Sequence, residues 1–142
     1  SREADFVPLR GPLGLLFQDP VDQLFGPTVA DDVAFGPRNT GQDSAQAGQL
    51  ALRTLAALQL EHLAERPVQQ LSGGEQRLVA LAGVLAMSPR VLLLDEPSNG
   101  LDEASCERLF ACLLDTGLPM LIASHDQTLV QRLGTRILTL PA

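Results

Sequence analysis

Between Arg90 and Pro97 the chain reads Val91-Leu92-Leu93-Leu94-Asp95-Glu96, four apolar residues with no polar alternation and then two acids. A strand with one wet face alternates apolar and polar side chains. An unbroken apolar run of strand length therefore belongs in a sheet covered on both faces, and such sheets are parallel. Leu13 to Phe17 is a second run of this kind, ending at Gln18 and Asp19-Pro20, Pro119 to Ala123 is a third, and Arg136 to Leu140 is a further expected strand. Helical patterns over Glu103 to Leu114 and Gln127 to Leu133 separate the later runs. Strands alternating with helices imply right-handed βαβ units, so the predicted class is α/β with a parallel sheet. A length of 142 residues fits one domain.

A different rhythm fills the middle. Thr28-Val29-Ala30-Asp31 has the cap and acidic first turn of a helix that Gly36-Pro37 is expected to end. Asp43 to Leu60 is an amphipathic helix with apolar residues at Leu52, Leu55, Ala56 and Leu58. Ser72 can cap a third helix running to Met87, which Ser88-Pro89 stops. Residues 28–88 thus form a predicted α-helical subdomain inserted into a core made of 1–27 and 89–142.

Composition removes several function classes. The net charge is -7, the basic residues are ten arginines, and lysine is absent. With no basic cluster, the chain lacks the electrostatic footprint of a nucleic-acid binder. The longest apolar stretch, Leu78 to Met87, is shorter than the roughly 18 residues a membrane span needs. Cys106 and Cys112 sit six positions apart on one predicted helix, about 240° around its axis, so they do not pair. Unpaired cysteines without metal-ligand spacing suit a reducing compartment, and the cytoplasm is the expected side.

Three groups of residues can carry chemistry. Asp95 and Glu96 end a strand at the carboxyl edge of the sheet, where α/β proteins place ligands. His125 follows Ile122-Ala123-Ser124 at a second strand end, while His62 lies in a polar helix end and is expected to be solvated. Ser72-Gly73-Gly74 opens a helix with free N–H groups, a hydroxyl and no bulk, which is an anion site. Each is ordinary alone, as an acidic turn, a surface imidazole or a capping turn. Their order along the chain is not.

Leu71-Ser72-Gly73-Gly74-Glu75, Val91 to Pro97, Gly100-Leu101-Asp102 and Ser124-His125-Asp126, taken in sequence, resemble the ABC ATPase family. The resemblance runs from about Leu9 to Leu140 and implies part of a P-loop NTPase sheet, with ATP and Mg²⁺ as cofactors. It assigns Asp95 and Gln18 to Mg²⁺, Glu96 to general base, and His125 to the γ-phosphate and the attacking water, with Asp102 on the same face. It assigns Ser72, Gly73, Gly74 and Glu75 to the γ-phosphate of ATP held by a facing subunit. The partners implied are a second ABC ATPase subunit and an integral membrane transporter subunit, at the cytoplasmic face of the membrane, peripherally. Phe17-Gln18-Asp19-Pro20 through Asp22 to Phe25, Pro27 to Val29 and Asp32 to Pro37 narrow the resemblance to energy-coupling-factor importers, which serve cobalt, nickel and vitamin uptake. Phe17 is expected in the core, and Phe25 with its loop at a partner contact.

Two departures accompany these matches. After Glu75 the family's arginine position holds Leu78, with Arg77 one place earlier. No G-x-x-x-x-G-K-[ST] occurs, so the chain is expected to be the carboxyl-terminal two-thirds of a subunit, inactive alone, with one face of strand Val91 to Leu94 short of its cover. The alternatives are a non-catalytic half that lends its signature to an intact partner, or a non-transport ABC ATPase.

Overall fold

The computed structural model describes residues 12–19 and 23–139, so Pro20, Asp22 and Leu140 lie outside the described residues. Strand β1 (Leu13–Leu16) leads into helices α1 (Val29–Asn39), α2 (Ser44–Ala57) and α3 (Gly73–Ala86). Strand β2 (Val91–Asp95), helix α4 (Glu103–Thr116), strand β3 (Met120–Ala123) and helix α5 (Gln127–Leu133) follow. The sheet is parallel in the order β1-β2-β3, so three helices separate two strands that pair directly.

Register fixes the two faces of this sheet. Leu15, Leu93 and Leu121 stand side by side, as do Leu16, Leu94 and Ile122. Leu16, Leu92 and Leu94 are buried against the helices, whereas Leu15 is 37% and Leu121 66% exposed. Among the described residues one face is covered and the other is open.

Helix α3 is apolar nearly all round, burying Leu78, Val79, Leu81 and Ala82, and it packs on α1, α2 and β1. Its start is a full capping box. Ser72 Oγ accepts from Glu75 N at 3.3 Å while Glu75 Oε2 accepts from Ser72 N at 2.8 Å. Asp43 caps α2 through Gln46 N, and Thr28 caps α1 through Asp31 N.

Four expectations need correction. Helix α1 does not stop at Gly36-Pro37 but runs through both to Asn39. An interior proline costs about 3 kcal/mol in a bare helix; here Pro37 is buried, and a Cβ on Gly36 would lie 2.7 Å from Met87 Cγ, so packing against the end of α3 overrides the local signal. In α2 the buried stripe is Ala47, Ala51 and Leu55, continued by Leu58, and Leu52 is 49% exposed. Phe17 is not in the core: it lies two residues beyond Leu15 on the open side of the sheet and is 50% exposed. Residues 136–139 form no strand, because β3 pairs with β2 alone and the segment after α5 finds no ladder, leaving Ile137 and Leu138 exposed.

Candidate functional site

Parallel strands end on one edge, so β1, β2 and β3 deliver Gln18, Asp95 and Ser124-His125 to the same side of the sheet. Asp95 is exposed and stands in register with Ala123. Glu96, the next residue, has φ 46, in the left-handed region. A non-glycine residue there costs about 1–3 kcal/mol and persists only where its surroundings over-determine it.

The surroundings of Glu96 do so. Its N–H donates to Ala123 O at 2.8 Å, and its carbonyl accepts from Asn99 N and from Arg77 Nη1, each at 3.1 Å. Its carboxylate accepts from Ser124 Oγ at 3.1 Å and from His125 N at 3.2 Å, and Oε1 lies 2.8 Å from His125 Nδ1. Burial pushes the Glu96 carboxyl up, but the bonds from His125 and Ser124 outweigh it and hold the group below the usual carboxylate range. The same contact, with Glu96 as its first cause, raises the His125 imidazole above its ordinary value. Glu96 is thus an ionised acceptor at neutral pH, next to an 82% exposed imidazole.

Two further contacts organise this edge. Ser98 Oγ donates to Asp126 Oδ2 at 2.7 Å, which joins the turn after β2 to the start of α5. Gln23 spans the end of β1, accepting from Phe17 N at 2.9 Å and donating to Leu15 O at 3.0 Å. The structure brings Glu96, Ser124 and His125 into contact. It places Asp102 instead at the cap of α4, where Oδ1 accepts from Ser105 N at 2.7 Å.

Ser72, Gly73 and Gly74 form the first turn of α3, where helix N–H groups lack intrahelical partners. A Cβ on Gly73 would meet nothing within 4 Å, so this chain's own packing does not demand a glycine there. An open, unbranched surface over helix N–H groups fits the approach of an anionic group from outside. The Glu75 carboxylate is turned back to Ser72 N, and that bond lowers its pKa. Among the described residues no cluster of three or more Asp, Glu, His or Cys could hold a metal. Mg²⁺ is commonly held by one or two carboxylates together with substrate phosphates. Asp95, with Gln18 at the neighbouring strand end, fits such a site.

Sequence reasoning named Arg77 and Asp32 but assigned neither its contacts. Arg77 is 7% exposed, and its two guanidinium nitrogens reach different segments, Nη1 to Glu96 O and Nη2 to Gln18 O at 2.7 Å. A lone arginine opening the run Leu78 to Ala82 was the available signal. Asp32 is 8% exposed, and its Oδ1 accepts from Phe25 N at 2.6 Å and Gly26 N at 2.7 Å, fixing the loop that leaves Phe25 71% exposed. His62 is exposed, and both cysteines are free, as expected.

Comparison with known proteins gives the family. Residues 3–99 match the family described as ABC transporter. An ABC transporter ATP-binding protein of Haemophilus influenzae is 50% identical over 98% of this chain and 64% of its own length. The cobalt import ATP-binding protein CbiO of Rhodobacter capsulatus is 44% identical over 94% of this chain and 49% of its own. Among solved structures, cbiO1 of Clostridium perfringens, part of the ABC transporter complex cbiONQ, superposes with a TM-score of 0.77 at 36% identity, covering 88% of this chain and 51% of that one. The chain therefore spans between about half and two-thirds of the length of these relatives. Among the described residues no helix is long and apolar enough to cross a membrane.

Proposed function

Because the chain belongs to the ABC transporter family, we propose that it is the hydrolytic and partner-facing part of the ATP-hydrolysing subunit of an importer, of the energy-coupling-factor type for cobalt, nickel or a vitamin. The observation that carries the hydrolytic role is the ionised Glu96 carboxylate at the carboxyl edge of the sheet, bonded to Ser124 and His125. A carboxylate so placed accepts a proton from an attacking water, and the imidazole beside it lies where a γ-phosphate would dock. Asp95 and Gln18 would hold Mg²⁺, which when bound neutralises charge on the phosphates. Residues 28–88 act as the helical subdomain that carries Ser72 to Glu75 toward a second ATPase subunit. The importer type is supported by the likeness to the cobalt-import protein and to cbiO1, and by the exposed Phe25 and Phe35, which suit contact with a membrane subunit at the cytoplasmic face.

A second function has its own support. The signature turn is open at Gly73, so the chain can also serve as a half that lends its signature to an intact partner. Placing Glu96→Gln in the subunit that carries this chain separates the two. Hydrolysis at the site containing Glu96 requires turnover to fall by about 10²–10⁴-fold while ATP binding is kept. Unchanged turnover would leave the signature-lending function. The chain by itself should bind ATP·Mg²⁺ negligibly, since a phosphate cradle and its lysine supply most of that grip; micromolar affinity by calorimetry would contradict this.

A further inference from the structure

Arg77 stands on α3 about one turn beyond Ser72, yet both of its guanidinium hydrogen bonds leave its own helix. Nη2 donates to Gln18 O at 2.7 Å, nearly sixty residues away along the chain, and Nη1 donates to Glu96 O at 3.1 Å. The planar guanidinium can hold two separate carbonyls at once in fixed geometry, which an ammonium cannot. Buried charged donors of this kind make stronger hydrogen bonds than neutral ones. The carbonyl it holds belongs to a residue in a left-handed conformation, whose side chain must leave the turn toward Ser124 and His125.

From this geometry we propose that Arg77 is a positioning residue, a strut that fixes the strained Glu96 turn and the Gln18 backbone to the helix bearing the signature. It touches no reacting atom. Its effect passes through Glu96, whose carboxylate is aimed by a backbone that Arg77 holds on one side and Ala123 on the other. The same two bonds make any movement of α3 felt at both Gln18 and Glu96, so the signature helix and the hydrolytic edge shift together. The kinetic consequence rests on the ATPase function proposed above; the structural one does not.

The test has two arms. In this chain, amide hydrogen exchange compares wild type with Arg77→Met, which keeps the buried stem, and Arg77→Lys, which keeps the charge but serves one carbonyl. Exchange at Glu96, Asn99 and His125 should quicken by about tenfold or more in the methionine variant, and by less in the lysine variant, while Leu93, Leu94 and the centre of α3 keep their protection. A uniform rise over the whole chain, or no change at the three amides, would overturn the strut. In the ATPase subunit carrying the chain, Arg77→Lys should lower kcat by about 10–100-fold with KM for ATP within about twofold, as misplacement of a base does. Unchanged kcat beside quickened exchange would overturn the positioning role, and a wild-type subunit without ATPase activity would count against the proposed function while the exchange arm still decides the strut.

Discussion

Ser98 and Asp126 are joined by a 2.7 Å hydrogen bond between two loops that lie side by side at the sheet edge. The same carboxylate caps α5, with Oδ1 accepting from Thr128 N at 2.9 Å and Leu129 N at 3.2 Å. One side chain thus anchors the turn after β2 and starts the helix after β3. The bond from Ser98, first among the causes, lowers the pKa of Asp126.

Ser98 is buried, so removing its hydroxyl leaves an acceptor of Asp126 with less satisfaction. Ser98→Ala should cost about 1 kcal/mol, and Asp126→Ala should cost more, because the cap is lost as well, about 1 kcal/mol further. A double-mutant cycle by urea unfolding should return a coupling of about 0.5–1.5 kcal/mol. Because the folded pKa of Asp126 is lowered, its contribution is present above the unfolded value near 3.9 and disappears as pH falls through the folded one. A coupling indistinguishable from zero would show that the two loops are not tied.

The contact between Glu96 and His125 carries opposite linkage at its two ends. The folded pKa of His125 is raised, so its share is full below the ordinary imidazole value of about 6.5 and vanishes as pH rises through the folded value. For Glu96 the folded pKa is lowered, so its share is present above about 4.3 and vanishes as pH falls through the folded value. An NMR titration should therefore place the His125 midpoint above about 6.5, and Glu96→Gln should bring it down. A midpoint that ignores the glutamine substitution would mean that the ring is not held by Glu96.

The two faces of the sheet should answer differently to substitution. Leu92→Ala empties a buried position on β2, at 0% exposure, and should cost about 2–5 kcal/mol. Leu121→Ser on the open face should stay within about 0.5 kcal/mol in this chain, since its side chain is 66% exposed. Equal losses at both positions in thermal melts would show that something covers Leu121.

Much of this arrangement was legible beforehand because it depends on short-range signals. Ser72 with Glu75 three residues later gives α3 its start, and β2 with its unbroken leucines gives the parallel ladder. What stayed hidden depends on partners far along the chain. Pro37 reads locally as a helix stop, and only the fit of Met87 against Gly36 permits the helix to continue. Leu52 and Leu55 look alike in sequence, but the small residues Ala47 and Ala51 decide which stripe faces α1 and α3. Arg77 reads as a misplaced arginine until the fold brings Gln18 and Glu96 to it. The bonds among Glu96, Ser124 and His125 cross nearly thirty residues, and no local pattern announces them.

The last prediction asks whether Ser72 serves its own chain or a facing one. Substituting Ser72→Arg fills the open turn above Gly73 with a bulky cation, where an incoming phosphate would need the helix N–H groups. Suppose two subunits form a dimer in which each signature completes the other's nucleotide site. A mixed dimer of one Ser72→Arg subunit and one Glu96→Gln subunit then concentrates both lesions in a single composite site and leaves the other intact. A dimer carrying both lesions on one subunit damages both sites, one through the signature and one through the base. The first pairing should retain up to about half of wild-type turnover where the sites act independently, and the second should retain almost none, because loss of the general base alone is worth about 10²–10⁴-fold. ATPase assays on dimers purified through two different tags measure the contrast. The reverse pattern, with turnover kept when both lesions sit on one subunit and lost in the mixed pairing, would place Ser72 at its own chain's nucleotide, and equal activities in a dimer shown to turn over with one working site would overturn the trans arrangement.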